Sequence, residues 1–475
     1  MGMKKSPRKN THPTKKTRAP KKASERSAVG FDEAPQDQSG FMKLLSQRIS
    51  WKELQALDAR KHPAGRPSHQ LSRSQLLVAL LFHYSITLAG SFAEHLFLLT
   101  GITMDDGSLS KRRQALPFAV FTELLRLMLR PIAHSCSEAL YKGLRLMALD
   151  AAEFSVRNTK PINQRLKKGS NQNSRPAGYA KLRCSVLLEL MYHNPLAACL
   201  GLNGESEWNL SQGLSKYVPA QSLLLGDRLY GCGAFILAAW EELKDNGSHL
   251  LLRVKVGLKV ERVIKSLHDG SRLVEIKALK TGDTHEIAGT MVVREIHATL
   301  QRKGCRSITV RFWTTLLDAQ EYPASELVAL YASRWEHELY YRELKRELRV
   351  NKTLRSLTVE TVAQELAAMI IASSLIAQER SELRPGEGLN HRISFIKTWE
   401  MLEPLWLTLL LCPDIITEEQ KQQIADRFHW MISKLKMKKK RNRSYPRVLR
   451  QCRQRFPRKT NQKEKSGPVT IRICP

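Results

Sequence analysis

The hydrophobic pattern of this 475-residue chain changes at Leu144. Between Phe41 and Leu129, apolar residues recur at helical spacing, which predicts an all-helical region. From Leu144 to Val254, short apolar runs alternate with helical segments, and the first strand-like runs follow one another directly. The last pair of this region is a predicted helix over Gly233–Leu243 and a predicted strand over His249–Val254. Strands that alternate with helices after an initial set of strands are typical of an α/β fold with a mixed sheet. The sequence therefore predicts an α/β domain that is preceded by helices.

Residues 256–306 follow another pattern, in which apolar and polar residues alternate and glycines interrupt the runs. Alternation with a period of two predicts half-buried strands, so we expect a small antiparallel β insertion here. The core pattern resumes at Ile308, and Pro323 is predicted to begin a helix that carries Tyr331–Lys345. A very apolar helix, Val359–Leu375, should pack behind the sheet, and further helices follow it.

The balance of charge indicates a polyanionic partner. The chain has 77 Lys and Arg against 45 Asp and Glu, a formal net charge of +32. Such an excess repels itself unless a polyanion binds, and nucleic acid is the first candidate, with an anionic membrane surface second. The sequence contains no uncharged apolar stretch of about 18 or more residues, so no transmembrane helix is predicted. The scattered cysteines lack metal-ligand spacing and indicate reduced thiols in a cytosolic protein.

The basic residues also indicate where DNA could be contacted. The first 40 residues are basic and contain almost nothing apolar, which predicts a disordered arm that neutralises phosphates. In the helical region, Ser108 could cap a helix whose first turns carry Arg112 and Arg113. This helix could contact a DNA backbone in the manner of a helix-turn-helix. A plain helical packing domain with surface charge fits the same residues, and the sequence leaves both interpretations open.

The stretch Tyr331–Lys345 places four polar side chains at intervals that bring them to nearly the same face of one helix. They are Tyr331, Arg334, Glu338 and Lys345. The carboxylate can hold a divalent metal, whereas the phenol and the two cations can hold phosphate oxygens. A solvated face with i,i+4 ion pairs, such as Arg334–Glu338, gives the same pattern, so the rest of the chain must decide between the two.

Two aspartates upstream favour the functional interpretation. Asp150 and Asp227 each lie within or just after a short apolar strand, where open α/β sheets place their sites. With Glu338 they could form a carboxylate cluster that holds two Mg²⁺ ions about 4 Å apart. A single aspartate of this kind is more often a turn or cap residue. Gly226–Gly231 has the spacing of a phosphate loop but lacks its lysine, and His337 is interpreted as a packing or surface residue.

These residues resemble the DDE transposases of bacterial insertion sequences, specifically the "IS-four" group with its Y-(2)-R-(3)-E-(6)-K signature. The four residues Tyr331, Arg334, Glu338 and Lys345 match every position and spacing of that signature. Asp227 begins a D-R-x-Y stretch like that of the family's second acid. Gly143-Leu144-Arg145 precede the strand of Asp150, as in the family's first acid. The resemblance covers roughly residues 70–460.

The resemblance implies an RNase H-like catalytic core interrupted by the β insertion, with Asp150, Asp227 and Glu338 as catalytic acids and metal ligands. The implied cofactor is a pair of Mg²⁺ (or Mn²⁺) ions. The implied partners are double-stranded DNA, in the form of terminal inverted repeats and target DNA, and a second copy of the chain in a homodimeric synaptic complex. The implied activity is cut-and-paste transposition through strand cleavage and strand transfer.

Further roles come from the same resemblance. Tyr331, Arg334 and Lys345 would contact phosphates near the cleaved end, which passes through a hairpin in relatives. Some relatives hold a flipped base with a tryptophan, and Trp313 is the candidate here. One departure is that Asp150 is followed by Ala-Ala-Glu, whereas the family often has a small residue and then Thr or Ser. Glu153 is therefore a rival carboxylate.

Two other functions fit the same residues: a catalytically silent or domesticated sequence-specific DNA-binding protein, and a general metal-dependent nuclease. The expected location is the bacterial cytoplasm, at the nucleoid, without a membrane. The predicted domains are a disordered basic arm (1–40), a helical DNA-binding domain (41–140), the first part of the RNase H-like core (141–255), the β insertion (256–306), the second part of the core (307–380), a C-terminal helical region (381–433) and a basic tail (434–475).

Overall fold

The structure is a computed structural model that describes most of the chain between Gly40 and Leu435. Most of the predicted basic arm and most of the predicted basic tail lie outside the described residues. The described residues are 30, 32–35, 40–59, 70–86, 88–132, 140–166, 168, 178–255, 257–279, 287–301, 306–347, 353–383, 393–412, 415–435, 443–444, 464–465 and 470–473.

The described residues from Phe41 to Met128 form helices, as their apolar spacing predicts. Ser91 begins one of them with a capping box, and Gly101 ends it in the left-handed conformation at φ 71°. The helices are α1 (Phe41–Ser46), α2 (Trp51–Ala59), α3 (Arg73–Ser85), α4 (Phe92–Thr100), α5 (Asp106–Ala115) and α6 (Phe118–Met128).

The start of α5 corrects one prediction. Ser108 does not cap this helix, because Asp105 does: its side chain accepts a hydrogen bond of 2.8 Å from the backbone N–H of Ser108. An aspartate is at least as good an N-cap as a serine, and here it stands three residues earlier. The helix therefore begins at Asp106, and Ser108 lies in its first turn.

Most strands of the structure belong to one large sheet. The predicted strand over His249–Val254 is confirmed at both ends. The strands are β1 (Leu140–Tyr141), β2 (Leu144–Ser155), β3 (Lys181–Glu189), β4 (Asn194–Gly201), β5 (Ser222–Gly226), β6 (His249–Val254), β7 (Arg262–Ser266), β8 (Arg272–Leu279), β9 (Ile287–Gln301), β10 (Ile308–Thr314), β11 (Arg443–Ser444), β12 (Glu464–Lys465) and β13 (Thr470–Ile473).

The order of strands along the sheet is β4-β3-β2-β5-β6-β10-β9-β8-β7. Strands β2, β5 and β6 run parallel to one another, whereas β3 and β4 are antiparallel to their neighbours. The insertion strands β7 to β9 are antiparallel, as expected, but they continue the core sheet through the pairing of β9 with β10. The parallel strands bring their carboxyl ends to one edge, where a site is expected.

Most of the remaining helices pack on the sheet and on the N-terminal helices in one large buried core, whereas the helix over Gly233–Leu243 packs against the sheet in a second core. The helix α12 (Val359–Leu383) lies between them, in contact with α3, α6 and β4. It is long and apolar enough to cross a membrane, but 94% of its most apolar window is buried inside the protein, so it is a core helix. The helices are α7 (Lys160–Arg165), α8 (Glu207–Ser211), α9 (Gly233–Leu243), α10 (Ala324–Tyr331), α11 (Trp335–Arg342), α12 (Val359–Leu383), α13 (Phe395–Leu411) and α14 (Glu418–Ser433).

Candidate active site

The sheet register places the two aspartates side by side. Leu149 of β2 pairs with Gly226 of the neighbouring parallel strand β5. Asp150 and Asp227 are the next residues of their chains, so they lie at the same level on adjacent strands, which are about 4.8 Å apart in a sheet. Asp150 lies inside its strand, because β2 continues to Ser155. Asp227 follows its strand directly, as predicted.

The turn after β5 is fixed by hydrogen bonds and close packing. The carboxylate of Asp227 accepts a hydrogen bond of 2.7 Å from the backbone N–H of Leu229. A Cβ atom at Gly231 would lie 2.0 Å from the carbonyl oxygen of Arg253, so only glycine fits there. The glycines that mimic a phosphate loop therefore serve the turn that presents Asp227.

The helix with the four signature residues differs from the single α-helix that the spacing predicts. α10 ends at Tyr331, a 3₁₀ turn covers Ala332–Arg334, α11 follows, and Glu343–Glu347 forms a π-helical turn. Such turns often mark functional sites, because they redirect the side chains that follow. The offset from Glu338 to Lys345 thus includes wider turns than a regular helix has.

Arg334 joins two of the three candidate acids. Its Nη1 lies 3.2 Å from Asp150 Oδ2, and its Nη2 lies 2.9 Å from Glu338 Oε1. The i,i+4 pair with Glu338 is the one expected for a solvated face. The contact with Asp150 crosses from the helix to the sheet, and the two side chains are only 17% and 16% exposed. This stretch therefore does more than cover the surface.

The electrostatics of Tyr331 and Arg334 follow from this packing. Burial raises the pKa of Tyr331 to about 12, and its neutral hydroxyl donates a hydrogen bond of 3.1 Å to the carbonyl of Gly226. Burial acts to lower the pKa of Arg334, but Tyr331, Asp150 and Glu338 raise it above its ordinary value. Tyr331 is thus anchored beside Asp227, and Arg334 stays a cation.

Lys345 lies past Asp150, towards the end of β2. Its ammonium is 5.0 Å from the centre of the Phe154 ring and 5.8 Å from that of Tyr341. Burial lowers the pKa of Lys345, and the nearby charge of Lys181 lowers it further. Within the described part of the chain, Lys345 forms no ion pair with a carboxylate. All four signature residues therefore face the sheet edge with the aspartates.

The structure decides against Glu153 as a rival ligand. Glu153 is three residues beyond Asp150 in an extended strand, so the two carboxylates point to opposite faces of the sheet. Glu153 is exposed and forms an ion pair of 2.6 Å with Arg183. Asp150 instead faces α11 and Arg334.

Contacts that sequence reasoning missed hold α11 in place. His193, in the turn between β3 and β4, is buried and lies between two glutamates of the signature segment: Nδ1 is 2.6 Å from Glu343 and Nε2 is 3.0 Å from Glu336. His337 is buried as expected for a packing residue, 2.9 Å from the carbonyl of Val186. No signal in the sequence ties His193 to this helix, since it lies some 140 residues before Glu336.

Trp313 does not fit the role of holding a flipped base. It lies in β10, is 1% exposed, and its indole N–H donates a hydrogen bond of 3.0 Å to Glu295. The guanidinium of Arg311 covers its ring at 5.2 Å. Because both ring and N–H are used inside the sheet, the structure corrects this interpretation and gives Trp313 a packing role.

The two arginines of α5 differ in their surroundings. The guanidinium of Arg113 donates hydrogen bonds to Gln364, Ser356 and the carbonyl of Thr361. These contacts hold α5 against α12 and leave few donors for a phosphate. Arg112 is half-buried, and its predicted contact with DNA stays a prediction.

The three candidate acids, Asp150, Asp227 and Glu338, offer carboxylate oxygens, which are the ligands that a hard divalent cation prefers. The described residues contain no group of three or more His, Cys, Asp or Glu side chains already placed to hold a metal ion. Instead, the cationic guanidinium of Arg334 lies between Asp150 and Glu338. The arrangement thus holds a positive charge between two of the acids.

Two comparisons with known proteins agree with this geometry. The family described as Transposase DDE domain matches residues 141–375, a range that contains all three acids and the whole signature. The chain is also 27% identical over 348 residues to the transposase InsG of insertion sequence element IS4 from Escherichia coli (strain K12), which covers 71% of this chain and 74% of that protein. The chain therefore belongs to the DDE transposases, as a relative of the transposase of insertion sequence IS4.

Proposed function

We propose that this chain catalyses cut-and-paste transposition of an insertion sequence through Asp150, Asp227 and Glu338. The observation that carries the proposal is the meeting of these acids at one edge. The register puts the two aspartates at the same level of adjacent parallel strands, and Arg334 bonds both Asp150 and Glu338. DDE transposases are phosphoryl-transfer enzymes of this kind, and the family match covers all three positions.

The sheet supports an RNase H-like core. Its first strands, β2 to β4, form an antiparallel meander, and β5 and β6 then add in parallel on the other side of β2. The β insertion enters between β6 and β10, after the second acid and before the third. This is the position that the resemblance to the family implies.

The three carboxylates would hold two Mg²⁺ or Mn²⁺ ions. When bound, such ions activate the attacking oxygen and stabilise the leaving oxygen of a phosphodiester. For its part, the chain supplies oxygen ligands and a counter-charge. The guanidinium of Arg334 takes one oxygen of Asp150 and one of Glu338, so in this position it would compete with a metal ion for both acids.

DNA would approach the same edge. Tyr331, Arg334 and Lys345 would contact phosphates near the cleaved end, and Arg112 would contact the backbone further away. Lys345 supports this, since it is exposed and its ammonium lies against the buried rings of Phe154 and Tyr341. The formal charge of +32 supports binding of terminal inverted repeats and target DNA. A homodimeric synaptic complex at the bacterial nucleoid, in the cytoplasm, completes the proposal.

The test is cleavage of a plasmid that carries the DNA ends flanking the coding sequence. We expect Mg²⁺-dependent cleavage at those ends, none with EDTA, and a loss of about a hundredfold or more in Asp227→Asn and Glu338→Gln, as for removal of a principal electrostatic group. Glu153→Gln is the matched control and should cleave like the wild type, because Glu153 faces away.

The outcomes separate the alternatives. Cleavage that survives Asp227→Asn would refute the three-acid mechanism. Binding of the ends without cleavage in Mg²⁺ or Mn²⁺ would favour a silent DNA-binding protein. Equal cutting of unrelated DNA would favour a general nuclease.

A further inference from the structure

A chain of buried hydroxyl groups runs beneath the candidate active site. Tyr230, three residues after Asp227, is fully buried, and its hydroxyl lies 2.8 Å from Glu207 and 2.9 Å from the hydroxyl of Ser211. Ser211 lies 2.7 Å from the hydroxyl of Ser185 in β3. Unpaired hydroxyls are costly in a protein interior, so a connected set of this kind rigidifies the elements that it joins.

A second hydroxyl reaches Asp150 from the other face of the sheet. Tyr341, three residues after Glu338, donates a hydrogen bond of 2.8 Å to the backbone carbonyl of Asp150. Tyr341 is buried, and a weaker contact of 3.3 Å joins it to the carbonyl of Cys184. One turn of α11 thus carries both the third acid and a direct bond to the residue of the first.

Counting hydrogens gives the chain a direction. Each hydroxyl has one hydrogen, and an ionised carboxylate only accepts. Tyr230 therefore donates to Glu207, and Ser211 donates to Tyr230. Ser185 must then donate to Ser211, which leaves it no hydrogen for the carbonyl of Asp150, 3.4 Å away. Tyr341 is consequently the hydroxyl that bonds this carbonyl.

Glu207, at one end of this chain of hydrogen bonds, interacts electrostatically with the acids of the site. Burial raises the pKa of Glu207, the hydroxyl of Tyr230 lowers it, and the charges of Asp150 and Asp227 raise it again. Glu207 is thus a fourth carboxylate, and its charge interacts with those of the two aspartates. It is held by Tyr230, which belongs to the turn that presents Asp227.

We propose that Tyr341 and Tyr230 are positioning residues that fix the three metal-binding acids relative to one another. Tyr341 ties the helix of Glu338 to the backbone of Asp150. Tyr230 ties the turn of Asp227 to α8 and, through Ser211 and Ser185, to β3. Neither tyrosine belongs to the four-residue signature. Preorganised ligands bind a metal more tightly than loosely held ones, so both hydroxyls should contribute to metal affinity. This inference rests on the proposed three-acid site.

The test compares tyrosine-to-phenylalanine variants of the full chain by their binding of Mn²⁺, measured by electron paramagnetic resonance without DNA. Tyr341→Phe and Tyr230→Phe should each weaken binding about five- to tenfold, the effect of one lost hydrogen bond. Tyr340→Phe is the matched control. Tyr340 is the neighbouring buried tyrosine, and its hydroxyl bonds Ser373 at 3.2 Å, away from the acids. It should lose similar stability in urea but keep the Mn²⁺ affinity within about twofold.

Asp150→Asn distinguishes a failure of the three-acid metal site from a failure of the positioning role of the tyrosines. If the wild type binds no more Mn²⁺ than Asp150→Asn, the three-acid site is wrong and the positioning role falls with it. If the wild type binds and Asp150→Asn does not, the site stands. In that case, Tyr341→Phe and Tyr230→Phe with the affinity of Tyr340→Phe would overturn the positioning role alone. A raised Mn²⁺ concentration for half-maximal cleavage, with the same saturated rate, would support it.

Discussion

The active-site edge and the β insertion both place carboxylates beside arginines, but they differ in how fully those carboxylates are bonded. The active-site edge is the sheet edge with Asp150 and Asp227, together with Glu338 beside it. In the insertion, Glu295 is 0% exposed, accepts hydrogen bonds from Arg272 and Trp313, and is contacted by two nitrogens of the Arg311 guanidinium, so these three side chains make four contacts. Its oxygens have no capacity left for a ligand. This carboxylate joins β8, β9 and β10, so its role is structural.

At the active-site edge, one guanidinium serves two carboxylates. Asp150 and Glu338 share Arg334, and Glu338 is still 37% exposed. A carboxylate offers about four acceptor positions, so both acids keep unfilled positions, even though Asp150 Oδ1 also accepts a hydrogen bond from the backbone N–H of Ala151. The comparison teaches that a carboxylate beside an arginine is a candidate ligand only when its oxygens remain incompletely bonded.

The largest expected effect is that the glutamate of the active-site edge supports activity, whereas the glutamate of the insertion supports stability. Glu338→Gln should reduce cleavage about a hundredfold or more and leave the free energy of unfolding nearly unchanged. Glu295→Gln should lower the free energy of unfolding by about 3 kcal/mol, because it leaves the buried Arg311 and the half-buried Arg272 without their charged partner. Urea unfolding and plasmid cleavage measure the two quantities.

A control for this contrast lies in the same insertion. Glu275 pairs with Arg262, whose side chain is largely exposed, so Glu275→Gln should change stability by less than about 1 kcal/mol. The comparison fails if Glu338→Gln destabilises the protein as much as Glu295→Gln does.

A smaller effect sharpens the role of Arg334. Arg334→Gln removes the cation that lies between Asp150 and Glu338, so Mn²⁺ should bind on the order of tenfold more tightly without DNA. Cleavage should fall nevertheless, because the same side chain is proposed to contact DNA phosphate. Isothermal titration calorimetry measures the affinity.

Arg342→Gln is the matched control for net charge. Arg342 is exposed at the end of α11, the helix that follows Arg334, and Mn²⁺ affinity should stay within about twofold of the wild type. Weaker Mn²⁺ binding in Arg334→Gln than in Arg342→Gln would contradict the idea that Arg334 competes with the metal.

Local signals in the sequence predicted much of this fold. The helix Gly233–Leu243 and the strand His249–Val254 have their predicted bounds, because each is an apolar run bounded by turn residues. The alternation of residues 256–306 predicted antiparallel strands. The pattern did not reveal that these strands continue the core sheet, because pairing partners such as β9 and β10 are chosen by packing rather than by local sequence.

The candidate site was predicted in its residues but not in its contacts. The spacing of Tyr331–Lys345 selected the signature residues, although it assumed a regular helix and missed the π-helical turn. The bonds that assemble the site join residues 184 to 191 positions apart, from Arg334 and Tyr341 back to Asp150. No periodicity reports such distances, so only the folded structure reveals them.

The smallest expected effect is the pH dependence of the stability that Glu295, the fully bonded carboxylate of the insertion, contributes. Burial acts to raise the pKa of Glu295, but its partners outweigh burial and hold the pKa well below its ordinary value. These partners are the hydrogen-bonding side chains of His297, Trp313 and Arg272 and the charge of Arg311. Because the folded pKa is depressed, the stabilisation is complete above the ordinary glutamate pKa of about 4.3 and is lost as pH falls below it.

The stability difference between the wild type and Glu295→Gln should therefore be constant from about pH 7 to about pH 5. It should narrow below about pH 4 by up to about 1.4 kcal/mol per pH unit, since only the wild type can take up the proton. Urea unfolding of both proteins at matched ionic strength measures it. A difference that widens on acidification would mean that Glu295 is protonated in the folded protein at neutral pH. The carboxylate of the insertion would then be no charged counterpart to the acids of the active-site edge, and the comparison between the two regions would fail.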